Sequence, residues 1–125
     1  MRTKAGFRGM DPWPVDAGMV ECTGTALGDV DLHSDCAVLR VSVDLHARAF
    51  TVLLRHLPTG HRARLRFTGA KVVRIDTVPG GAEDTLHSID HYPDPLTARP
   101  TFALDLGAVC AVLRASTVTF ALLAR

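Results

Sequence analysis

Strict alternation of apolar and polar residues runs through the middle of this chain. From position 39 to 45, Leu39, Val41, Val43 and Leu45 share one face, while Arg40, Ser42 and Asp44 share the other. Phe50, Val52 and Leu54 repeat the pattern, as do Ala63, Leu65 and Phe67, with Arg62, Arg64 and Arg66 pointing away. A period of two is the signature of half-buried β-strands. Leu57-Pro58-Thr59-Gly60 places Pro and Gly as a four-residue turn requires. Closing it pairs His56 with His61, Leu54 with Ala63, Val52 with Leu65 and Phe50 with Phe67. Every apolar residue then meets another on the same face, and a slip of one would undo them all. Closing His46–Ala49 sets Leu45 beside Phe50 and Val43 beside Val52, which makes a three-strand meander.

The remaining segments extend the pattern. Gly69 leads as a bulge or corner into Lys71–Ile75, and Pro79-Gly80-Gly81 ends that run. Residues 82–91 read either as a short helix, with Leu86 and Ile89 at i, i+3, or as a strand. Pro93, Pro95 and Pro100 mark a loop. Phe102, Leu104 and Leu106 then alternate, Gly107-Ala108 turns, and strands follow at Cys110–Arg114 and Val118–Leu122. Met19–Leu27 forms a first strand ahead of the acidic stretch holding Asp29, Asp31 and Asp35. Seven to eight short strands at hairpin spacing predict an all-β antiparallel barrel or sandwich. Residues 1–15 read as a flexible N-terminal arm, pinned by Trp13, and residues 16–125 as a single β domain. Val118–Ala124, apolar on both faces at its end, calls for cover, and a homodimer is one way to supply it.

Composition fits one globular domain. Of 125 residues 47% are hydrophobic, and 14 basic against 13 acidic residues leave a net charge of +1. Such a balance excludes a whole-protein field that gathers nucleic acid or anionic membrane. The basic N-terminus lacks the apolar core of a signal peptide, and no apolar run is long enough for a membrane helix, so a cytoplasmic location is expected. Cys22, Cys36 and Cys110 then read as reduced thiols, although export would allow a Cys22–Cys36 bridge.

Candidate chemistry is sparse. His33-x-x-Cys36 and His87-x-x-x-His91 offer zinc-type ligands, but nothing in the spacing brings the two pairs together, and no metal or other cofactor is expected. Cys36 beside His33 lacks the signature of a cysteine nucleophile, and Cys110 alternates with apolar neighbours as packing. Asp29, Asp31 and Asp35 lack the glycine and terminal glutamate of a calcium loop. Leu57-Pro58-Thr59-Gly60 has no sorting-signal context. The absence of an acid–base or nucleophile set points away from an enzyme. The Arg62, Arg64 and Arg66 row remains, with Arg55 and Arg40 on neighbouring strands of the same outward face. The register puts Arg55 across from Arg62, a like-charge contact that something should offset.

The order of these features resembles small all-β bacterial proteins, some of them immunity proteins of polymorphic toxin systems. The segments carrying the resemblance are Gly28–His33 leading into Val38–Val41, Leu65–Val72, and the final pair Thr101–Leu106 and Val112–Phe120. It implies a cytoplasmic, non-enzymatic domain that binds a protein. From the charge pattern itself, the expected partner-binding residues are Arg62, Arg64 and Arg66, with Asp29, Asp31 and Asp35 as a second surface. The alternative is a small-molecule-binding β-barrel module, with a cavity lined by His87, His91 or Cys36.

Overall fold

A computed structural model describes residues 4–15, 17–19, 21–78 and 85–123. Its strands are β1 (Gly6–Arg8), β2 (Ala17–Met19), β3 (Glu21–Thr25), β4 (Gly28–Asp31), β5 (Cys36–Asp44), β6 (Ala49–His56), β7 (Arg62–Thr68), β8 (Lys71–Thr77), β9 (Ser88–Pro93), β10 (Pro100–Asp105), β11 (Val109–Arg114) and β12 (Thr117–Leu122). One five-stranded sheet runs β1-β12-β7-β6-β5, a second runs β2-β9-β10-β11-β8, and β3-β4 form a small ribbon. None of the sheets closes on itself, so the all-β architecture is a sandwich and not a barrel. The count exceeds the expected seven to eight because three-residue strands such as β1 and β2 are too short to show periodicity.

The β6–β7 hairpin has the register read from alternation, with Phe50 opposite Phe67, Val52 opposite Leu65 and Leu54 opposite Ala63. Gly60, at φ 74°, allows the turn, which closes through His56 N donating to His61 O at 2.8 Å. The β5–β6 register differs from expectation: Val43, not Leu45, faces Phe50, and Val41 faces Val52. The physical reason is the turn. Asp44 Oδ1 accepts the Ala47 amide at 2.9 Å, so the chain reverses over residues 45–48 and leaves Leu45 85% exposed at its tip. A bulge between Val38 and Arg40 puts Leu39 out of step, and Leu39 is exposed rather than in the core.

Gly69, at φ 60°, is a corner: the chain leaves β7 of the first sheet there and enters β8 of the second. The proposed helix over 82–91 is absent where it can be judged. Positions 82–84 lie outside the described residues, 85–87 are irregular, and β9 begins at Ser88. Strand pairing wins because Ile89 faces Leu104 on β10 and Met19 on β2.

Most of the arm is built into the domain. Phe7 pairs with Val118 in a parallel β1–β12 contact, while Met10 and Trp13 are buried. Trp13 Nε1 donates to the Glu21 carbonyl at 3.0 Å, and its ring lies edge-on to Phe7. β1 thus covers the first half of β12 from within the chain, at Thr117–Thr119, while Leu122 at its far end stays exposed. The two sheets meet through Phe50, Phe67 and Phe102, the last two with ring centroids 5.1 Å apart. Burying such aromatic surface is the main stabilising contribution here.

Candidate functional site: an arginine-covered sheet face

Alternation that buries Leu65 and Phe67 must turn Arg62, Arg64 and Arg66 outward. Cross-strand register then fixes their neighbours. Arg66 faces Thr51 on β6 and Thr119 on β12, and Thr119 in turn faces Arg8 on β1. Arg64 faces Leu53, which faces Arg40 on β5. Arg62 lies directly opposite Arg55. Six arginines therefore share one face of the first sheet. Strands lie roughly 5 Å apart, and alternate residues along a strand roughly 7 Å apart, so the guanidiniums form a compact cationic array. Small side chains between them, Thr51, Thr119 and Ala121, leave room for the long arginine stems to lie across the sheet.

Among the described residues none of these arginines is ion-paired. The ion pairs of the described residues are Arg74–Asp76 and Arg114–Asp94, and neither involves this face. Arg64 and Arg66 are half-buried, and their Nε atoms are withdrawn from solvent without a hydrogen-bond partner. A buried donor left unmet costs roughly 1–3 kcal/mol. A carboxylate arriving from outside can accept Nε–H and a terminal N–H together, the side-on geometry that guanidinium favours.

Alternation identified five of the six arginines. Arg8 escaped because β1 is three residues long and sits in what reads as an arm. Its only clue is Gly6-Phe7-Arg8, where an apolar residue faces in beside a basic one facing out.

The acidic residues gather at one turn, where two of them are engaged by backbone amides. Asp31 Oδ1 accepts the amides of His33 at 2.9 Å and Ser34 at 3.0 Å. Those bonds, the Ser34 amide foremost, hold its carboxyl below the usual carboxylate value. Asp35 Oδ2 accepts the Asp31 amide at 3.3 Å. Both carboxylates serve the turn between β4 and β5, and Asp29 alone is exposed on β4 without such a role. That turn abuts the end of the arginine face, since Leu57 N donates to Asp35 O at 2.7 Å.

Histidines and cysteines meet only in part. The His33 and His87 rings approach to 5.6 Å, but His91 is buried elsewhere, stacked on Phe102 at 4.7 Å. No group of three or more His, Cys, Asp or Glu able to hold a metal occurs among the described residues. Burial, with nearby Asp35 and Asp31, pushes the Cys36 thiol up to about 12. Burial also takes Cys22 to about 12, helped by Cys36 and Glu21. Neither forms thiolate near neutral pH, so Cys36 beside His33 lacks the activation a nucleophile needs.

No helix among the described residues is long and apolar enough to cross a membrane. Comparison with known proteins finds no matching family model, no matching curated protein and no matching solved structure.

Proposed function

We propose that this domain is a non-enzymatic, protein-binding module whose arginine face docks an acidic surface of its partner. The observation that carries the reading is six arginines on one sheet face, none of them ion-paired among the described residues and two with a solvent-excluded Nε–H lacking an acceptor. The one carboxylate on the strands of this sheet, Asp44 at the end of β5, accepts the Ala47 amide and makes no ion pair among the described residues. Nucleic acid fits less well, because the outward positions between the arginines are Thr, Leu and Ala, with no aromatic ring on which bases could stack. Neutralisation of a bacterial toxin in the cytoplasm, as an immunity protein, is the setting to which the sequence resemblance points.

The test is binding to the proteins encoded beside its gene. One protein carries Arg62→Glu, Arg64→Glu and Arg66→Glu together; the control carries Arg74→Glu on β8, away from the face. The reading expects an acidic partner to be held by the native and control proteins and released by the triple variant. Equal binding by all three would remove the face from consideration.

A further inference from the structure

We propose a second site, distinct from the arginine face: a cleft that takes a small amphipathic carboxylate, an apolar body with one anionic head. The cleft lies where the two sheets part beside the β5–β6 turn, and its volume is about 730 Å³. Specific small-ligand sites typically span roughly 300–1,000 Å³. Apolar walls come from Val43, Leu45 and Val72, and cations from Arg48, Lys71 and Arg99. A fourth cation at the cleft, Arg114, is already used: its Nη2 and Nε lie 3.0 and 3.2 Å from Asp94 Oδ2. Arg48, Lys71 and Arg99 have no carboxylate within ion-pairing distance among the described residues. Asp44 also lines the cleft, but its Oδ1 is engaged by the Ala47 amide.

Three free cations beside exposed apolar side chains match one ligand chemistry. Val43 is 40% exposed and Leu45 85%, so apolar surface faces water at the cleft. A purely polar anion would leave that surface wet, and a neutral apolar molecule would leave the cations unanswered. The backbone gives independent support. Among the described residues the two non-glycine residues with positive φ are Arg48 at 52° and Ala98 at 58°. Arg48 lines the cleft, and Ala98 precedes Arg99, which does so too. Such conformations cost of order 1–3 kcal/mol and gather at ligand sites.

The probe is decanoate, monomeric at the concentrations needed, followed by amide chemical shifts in the full chain. Decanol and inorganic phosphate are the body-only and head-only controls. Decanoate is expected to shift the amides of Val43–Ala49, Lys71, Val72 and Arg99 saturably. Decanol should bind at least about tenfold more weakly, because the charge-assisted hydrogen bonds are lost, and phosphate should shift the same amides without saturating. Arg48→Ser with Lys71→Ser, and separately Leu45→Ser, should each weaken decanoate roughly five- to tenfold. All three positions are exposed, so these variants keep the fold. The Arg62→Glu, Arg64→Glu, Arg66→Glu protein should bind decanoate as the native chain does, which separates this site from the protein-binding face. Decanol binding as tightly as decanoate, saturable phosphate binding, or decanoate affinity unchanged in both cleft variants would overturn the proposal.

Discussion

Replacing Arg62 with glutamate should make the free protein more stable while weakening its grip on an acidic partner. Arg62 lies directly across from Arg55 on the outer face, and both side chains are exposed. Like charges in that position destabilise a sheet and opposite charges stabilise it, each by roughly 0.2–1 kcal/mol. Exposure to water keeps the effect in the lower half of the combined range, so Arg62→Glu should gain about 0.5–1 kcal/mol. For a chain of this size that is roughly 2–5 °C in Tm. Because the source is Coulombic and exposed, the gain should shrink by more than about half in 0.5 M salt, where screening reaches only a few ångströms. It should also vanish in an Arg55→Gln background, the control that isolates the pair. The assay is thermal and urea unfolding at low and high salt for the four proteins of that cycle. A loss of stability at low salt, or a gain that survives both high salt and Arg55→Gln, would refute the reasoning. It would mean that Arg62 acts through the packing of its stem.

Other outcomes follow from the same structure. Trp13→Ala should cost about 3–5 kcal/mol, since the ring is buried against Phe7 and Phe102; as Trp13 is the sole tryptophan, native emission should be blue-shifted and move red on unfolding. Ala98→Gly should stabilise the protein by about 1 kcal/mol in urea unfolding, because glycine adopts φ 58° without strain. Asp94 is held below the ordinary carboxylate value by the amides of Leu96 and Thr97 and then by Arg114. A depressed folded value stabilises above the unfolded one and is lost as pH falls, so Asp94→Asn should be less stable at pH 7. That difference should close as the pH is lowered from about 4. A thiol reagent at neutral pH should label Cys110 first, with Cys22 and Cys36 labelled only on unfolding, because burial holds both near 12.

Legibility in the sequence followed the length of each regular element. The β6–β7 hairpin could be registered residue by residue because alternation fixed which residues share a face and the Leu57–Gly60 turn chose among the in-phase pairings. The β5–β6 register slipped by two because such a shift preserves the face: Val43 and Leu45 are interchangeable to alternation, and only the Asp44 cap on Ala47 decides between them. Leu39 was misassigned because a bulge leaves no mark on composition. Most of the arginine face was legible, being a consequence of alternation. The cleft was not. Arg48, Lys71 and Arg99 come from a turn, a strand start and a proline-rich loop, and their meeting depends on how the two sheets part at Gly69.

The most direct test of the protein-binding claim is the association rate with an acidic partner, measured as a function of ionic strength. Compared are the native chain, the Arg64→Glu, Arg66→Glu protein and the Arg74→Glu control. Charge-steered docking predicts a native rate that falls steeply with salt, a control that tracks it, and a face variant slower by roughly ten- to a hundredfold at low salt with the dependence flattened. Parallel salt dependence in all three would contradict the account and return the arginine face to the role of a solvated sheet surface.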